Sequence, residues 1–204
     1  MTVVLLTGFE PFAGASVNPS WDAVEKVATE WDGGAQVVAR RLPVEFDAAP
    51  LLLLSWIADL APDVVIAAGV AEGRSEISIE RIAINLDDAA IPDNAGRQPI
   101  DIEAIPGAAE AAWSTLPVKE IVAEIRAAGL PASLSLSAGT FVCNHVFYAL
   151  QLALRGRRVP SGFIHVPATP EMQLGPSVPT LTVAQIAAAL GIAVSVAVRS
   201  AGAP

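Results

Sequence analysis

Apolar residues in this chain fall into two alternating rhythms. The runs Val3–Leu6, Val37–Leu42, Asp63–Gly69, Ala132–Ser137 and Gly162–His165 read as strands. Several of them are apolar on both faces, as strands inside a parallel sheet are. Between them lie segments with helical periodicity: Pro19–Trp31, Asp47–Leu60, Val118–Ala128, Asn144–Leu154 and a closing helix that starts at Thr182. In the first, Trp21, Val24, Val27 and Ala28 share one face. In the last, Thr182 followed by Gln185 forms a capping box, the start signal of a helix.

Ile77–Asn85 alternates instead, with Ile77, Ile79, Arg81 and Ala83 facing one way and Ser78, Glu80, Ile82 and Ile84 the other. That puts Glu80 on a sheet face rather than at a loop tip. Asp87–Pro106 has no period and reads as a loop, and loops of that length are more often functional than idle. Strand, loop and helix repeat over 1–204 with no linker-like shift in composition. The pattern predicts a single domain of three α/β/α layers around a mostly parallel sheet.

Composition narrows the partners. Of the 204 residues 53% are hydrophobic and 16% charged, which excludes a disordered chain. Twelve Lys and Arg against 21 Asp and Glu leave a net charge of −9, so nucleic acid and anionic membranes are unfavourable partners. The uncharged stretch Leu181–Val198 is built on Ala and contains Thr182, Gln185, Gly191 and Ser195, so it reads as a core helix rather than a membrane span. Val3–Leu6 is too short for a signal-peptide core and lacks a basic leader, and the expected compartment is the cytoplasm. One cysteine, Cys143, and two histidines, His145 and His165, leave no internal disulfide, zinc cluster or multi-histidine site to build. The chain also lacks a G-x-S-x-G elbow, a Walker loop, a G-x-G-x-x-G fingerprint and an H-E-x-x-H pair.

The candidate chemistry centres on Ser137-Ala-Gly-Thr-Phe-Val-Cys143-Asn144, where a strand passes through a glycine turn into a helix. Unpaired N–H groups at a helix start stabilise a thiolate, so the Cys143 pKa is expected to fall. The competing reading is a small core hydrophobe. A thiol nucleophile needs an imidazole. His145, two residues on, is turned about 200° around the helix and reads as structural or surface. His165 ends a strand and would meet Cys143 if their two strands were neighbours. Glu80 could orient that imidazole, or could instead pair with Arg74 or Arg81.

Three stretches, Ile77–Asn85, Ser137–Asn144 and Gly162-Phe-Ile-His-Val-Pro167, resemble signature regions of the pyroglutamyl peptidase I family. So do Leu6-Thr-Gly-Phe-Glu-Pro-Phe12 with Asn18-Pro-Ser-Trp21, and Ile91-Pro-Asp-Asn94. The resemblance implies a phosphorylase/hydrolase-like α/β/α fold and a cysteine exopeptidase that removes an amino-terminal pyroglutamyl residue from peptides. Carried onto this chain, Cys143 is the nucleophile, His165 the general base and then acid, and Glu80 the orienting carboxylate. The ring pocket maps onto Phe9, Phe12, Asn18, Val70, Ile91, Phe141 and Val142. The resemblance further implies no metal or organic cofactor, and a homotetramer.

Two positions depart from the family pattern. Glu72 stands where a small residue is usual, and Ala90 where Arg is usual. Arg74 and Arg97 are the candidate replacements for that Arg. If the chemistry had lapsed with position 90, the chain would be a pyroglutamyl- or lactam-binding module. A nucleoside-phosphorylase-like reading rests on fold analogy alone and lacks a phosphate loop.

Overall fold

In the computed structural model, which describes residues 1–202, the run Val3–Phe9 forms strand β1. Helix α1 (Pro19–Glu30) returns the chain to β2 (Gln36–Leu42), and α2 (Ala48–Leu60) leads to β3 (Val64–Val70). Then come β4 (Ile77–Glu80), β5 (Ile82–Ile84), β6 (Ala111–Trp113), α3 (Val118–Ala127) and β7 (Ala132–Ser135). Helix α4 (Val142–Ala153), β8 (Ser161–Val166) and α5 (Val183–Ala201) complete the order.

The main sheet runs β2-β1-β3-β8-β4-β7. Strands β2, β1, β3 and β8 are mutually parallel, whereas β4 lies antiparallel to β8 and parallel to β7. Two of the six strands therefore run against the rest.

The alternating stretch from Ile77 to Asn85 does not stay in one sheet. After Glu80 the Arg81 N–H still bonds to Ser135 O at 2.8 Å, but the next residues leave to pair with β6 in a separate antiparallel ribbon. Side-chain alternation alone carries no record of that change of partner.

Helices α1, α3 and α5 cover one face of the sheet, and α2 and α4 the other. Ile77, Ile79, Ile164 and Val166 point to the first core, while Phe163 and Ala67 point to the second. Residues two positions apart on one strand share a face, which sends Glu80, His165 and Gly69 together toward α4. In that second core Phe46, Phe147, Tyr148 and Phe163 are fully buried. Each such side chain stabilises the fold by roughly 1.5–3 kcal/mol. Helix α5, long and apolar enough to span a membrane by length and composition alone, buries Ile186, Leu190, Val194 and Ala197 against the sheet and its neighbouring helices. Its capping box forms as the sequence predicts: Gln185 N–H donates to Thr182 Oγ1 at 3.2 Å, and Thr182 N–H to Gln185 Oε1 at 2.9 Å.

Candidate active site

Three residues stand in a row across the sheet, because Gly69 of β3 pairs with His165 of β8, which pairs with Ser78 of β4. Glu80 is two residues beyond Ser78 on the same face, a diagonal neighbour of His165. Its Oε1 accepts from His165 Nδ1 at 2.8 Å, with both side chains buried. The tilted ring of Phe163 packs on the imidazole at 4.9 Å. The same Oε1 also accepts from Arg74 Nη1 at 2.7 Å, so Glu80 meets the imidazole and one of the two arginines weighed as its partner at once. Arg81 is not its partner; that guanidinium lies 5.7 Å over the Trp113 ring.

Cys143 reaches this row by another route than strand adjacency. Strand β7 is separated from β8 by β4 and runs the opposite way. The sulfur is brought over β3 by the 136–141 loop and the first turn of α4, which starts at Val142 rather than Asn144. There it lies on Gly69, where a Cβ would stand 2.8 Å from Sγ. Only a glycine leaves room for that approach. At the second helical position the backbone N–H of Cys143 has no partner inside the helix, so it is available to an oxyanion.

The expected low thiol pKa is not what this setting produces. Burial comes first and the Glu80 charge second, and together they push the Cys143 thiol up to about 12, against a smaller lowering effect from Arg74. Burial likewise lowers the His165 pKa, against its hydrogen bond to Glu80. A single helix turn does not offset removal of the thiolate from water. Both shifts favour the neutral thiol and the neutral imidazole over the ion pair.

Cys143 and His165 form one wall of a cavity of about 130 Å³ lined by Phe9, Phe12, Asn18, Val44, Val70, Ala138 and Phe141. Sites for drug-sized ligands measure roughly 300–1,000 Å³, so this one admits a single small ring. Phe12 and Phe141 stand 6.2 Å apart and tilted, and Phe46 meets Phe141 edge-on at 5.3 Å. Larger hollows, such as one near Arg157 and Arg158, are open and contain neither the thiol nor an imidazole.

Of the ring-pocket residues taken from the resemblance, Phe9, Phe12, Asn18, Val70 and Phe141 line this cavity and two do not. The Val142 side chain is wholly buried in the second core, and Ile91 is exposed. Asn18 is also the helix cap of α1: its Oδ1 accepts from Ser20 N and Oγ, and its Nδ2 donates to Glu10 O at 2.8 Å. Val44 and Ala138 were not identified from the sequence: Val44 sits in aperiodic chain with no motif around it, and Ala138, although inside the Ser137–Asn144 stretch, has a methyl side chain that marks no chemistry.

Neither arginine offered as a replacement at position 90 is free. Arg74 is held by Glu80 and by Ser137 O at 2.9 Å. Arg97 pairs with Asp47 and lies 5.7 Å over Phe46. Ala90 and Glu72 are both exposed. His145 is buried, not a surface residue: its Nδ1 is 2.7 Å from Asp87 Oδ2, and its ring packs edge-on against Phe46. It ties the 87–110 loop to α4.

Fold and site together define a thiol hydrolase of the α/β class, with a sulfur, an imidazole and a buried carboxylate converging on a small apolar pocket. The profile of the pyroglutamyl peptidase family matches residues 2–200, and the chain belongs to that family. It is 51% identical to the pyrrolidone-carboxylate peptidase of Erwinia tasmaniensis, over 96% of this chain and 92% of the relative. It is 50% identical to pyrrolidone-carboxylate peptidase 1 of Ralstonia nicotianae, over 98% and 94%. The fold is similar to the crystal structure of Bacillus amyloliquefaciens pyroglutamyl peptidase I, with a TM-score of 0.93 at 43% identity and 98% coverage of each chain. It is also similar to a mutant pyrrolidone carboxyl peptidase of Pyrococcus furiosus, with a TM-score of 0.92 at 40% identity, covering 97% of this chain and 99% of that one.

Proposed function

We propose that the chain is one catalytic domain that removes the amino-terminal pyroglutamyl residue from peptides, with Cys143 as nucleophile, His165 as proton carrier and Glu80 as its orienter. The observation that carries the reading is the buried 2.8 Å bond from His165 to Glu80 beside a thiol, on the wall of a ring-sized aromatic cavity. A pyroglutamyl lactam is small, flat and neutral, so aromatic faces hold it without leaving a charge unpaired. A free amino terminus would bring an ammonium into the same apolar walls, at a cost that rejects it.

With Nδ1 engaged by Glu80, His165 has Nε2 left for chemistry. Nε2 takes the thiol proton as Sγ bonds to the pyroglutamyl carbonyl carbon, and the carbonyl oxygen becomes an oxyanion near the Cys143 N–H. The new imidazolium, steadied by Glu80, protonates the leaving amine as the C–N bond breaks. Water then gives a proton to His165 while its oxygen attacks the thioester, and Cys143 leaves as the thiol with pyroglutamate released. An intact nucleophile, base and carboxylate set supports turnover over bare lactam binding.

A free thiol at the centre of the chemistry suits a reducing compartment, which supports the cytoplasm. Exposed Leu51 and Leu52 on α2 and Ile100 and Ile102 in the long loop supply apolar surface for assembly into a homo-oligomer, a tetramer in this reading. The direct test is hydrolysis of a chromogenic pyroglutamyl amide against the matching glutamyl amide. Cleavage of the first alone is expected; equal cleavage of both, or of neither, overturns the proposal.

A further inference from the structure

Arg74 sits in the turn between β3 and β4, where its own N–H closes onto Ala71 O at 3.2 Å and Gly73 takes a φ of +85°. From there its side chain, 31% exposed, reaches a carboxylate that is 0% exposed. One guanidinium arm donates to Glu80 Oε1 at 2.7 Å, on the oxygen that His165 also uses. The other donates to Ser137 O at 2.9 Å, in the loop that carries Cys143 over Gly69. A planar fork with two donors in fixed directions can satisfy both acceptors at once, which a lysine ammonium at the end of a flexible stem does not do with the same geometry. Glu80 Oε2 is buried and makes no hydrogen bond among the described residues, so Oε1 carries the orientation of that side chain.

We propose that Arg74 is a positioning residue of the reaction, a two-armed brace that sets the Glu80 rotamer on His165 and fixes the loop delivering Cys143. The inference rests on the peptidase reading above and adds a member to that site. Its electrostatic signature is separate from its mechanical one. The charged groups acting on His165 and Cys143 are Glu80 and Arg74, and Arg74 favours the unprotonated form of each. Losing the guanidinium therefore raises the proton affinity of both.

The test compares Arg74→Met and Arg74→Lys in wild-type and Glu80→Gln backgrounds, reading kcat, KM and the pH profile on a pyroglutamyl amide. Arg74→Met should lower kcat roughly ten- to fiftyfold with KM within about twofold, and should move the acid limb of kcat/KM to higher pH. Arg74→Lys should move the limb back while recovering only part of kcat. In the Glu80→Gln background Arg74→Met should cost less than about threefold, since residues acting through one network are not additive. A wild-type kcat in Arg74→Met, or the same loss in both backgrounds with an unmoved acid limb, overturns the inference. If Arg74→Met does not fold, Arg74→Lys decides, because full kcat with lysine means the second arm is unnecessary. Failure of the wild-type enzyme to cleave the pyroglutamyl amide overturns the underlying reading as well; turnover with an indifferent Arg74 overturns this inference alone.

Discussion

The sulfur of Cys143 rests on the backbone of Gly69, the residue that pairs across the sheet with His165. A Cβ on Gly69 would stand 2.8 Å from Sγ and 2.9 Å from Phe163 Cζ, the ring that packs on the imidazole. Gly69→Ala should therefore displace Cys143 and, through Phe163, His165 together. We expect a fall in kcat on the order of a hundredfold, with about 1–3 kcal/mol lost to overpacking. Urea unfolding and steady-state kinetics on one preparation check both, and near-normal kcat would mean that the thiol finds another seat.

Cys143→Ala should abolish turnover, by more than about 10³-fold, in a protein that still folds. His165→Ala should be nearly as severe. Glu80→Gln, which keeps a hydrogen-bond acceptor but loses the charge, should cost roughly ten- to a few hundredfold. His145→Ala should behave differently: it strands buried Asp87, so about 3 kcal/mol of stability goes while activity per folded molecule survives. If His145→Ala proved more damaging to kcat than His165→Ala, the base is misassigned.

The neutral thiol–imidazole pair has a pH signature. The acid limb of kcat/KM should fall below the ordinary imidazole value of 6.5, because burial lowers the His165 pKa. Alkylation of Cys143 by iodoacetamide should be slow at neutral pH and rise only in strong alkali, because burial pushes that thiol up to about 12. An alkylation midpoint below pH 7 would contradict the assignment. The same group affects stability. Above pH 6.5 folded and unfolded His165 are both neutral and the fold keeps its full stability. As pH drops below 6.5 the unfolded chain takes the proton first, so stability declines until the folded imidazole also protonates. Melting temperatures taken between pH 8 and pH 5 test the sign.

Ala90, which stands where the family resemblance expects an Arg, is exposed, and Arg74 and Arg97, the two candidate replacements, are already engaged. Ala90→Arg should add a cation where negative charge develops on the carbonyl oxygen, and should raise kcat more than it changes KM. A buried oxyanion donor is worth about 2.7–4 kcal/mol; at an exposed position we expect nearer tenfold in rate. Arg97→Ala should leave kcat almost unchanged. An inert Ala90→Arg would assign the whole of oxyanion stabilisation to backbone N–H groups.

The elements, and the three side chains that meet at the cavity, could be read from residue pattern and motif because both are local. Apolar runs mark β1, β3 and β8, Thr182 and Gln185 mark the start of α5, and short strings mark Glu80, Cys143 and His165. What escaped was relational. The break at Arg81, the ribbon made by β6 and the reversed β4 and β7 depend on which strand finds which partner. The thiol pKa went the other way because the sequence displays a helix start but not how much water is excluded around it. Asn18 carries a cap and a pocket wall with one side chain, and no motif separates the two roles.

The last strand in the chain occupies an interior place in the sheet, with β3 on one side and β4 on the other. Without residues 161–166, β3 and β4 would each be left with an unpaired edge. The contact from His165 to Glu80 spans 85 residues, a loop closure that local contacts cannot substitute for. During synthesis, then, Cys143 emerges before His165, and the His165–Glu80 contact cannot form until the final strand joins β3 to β4.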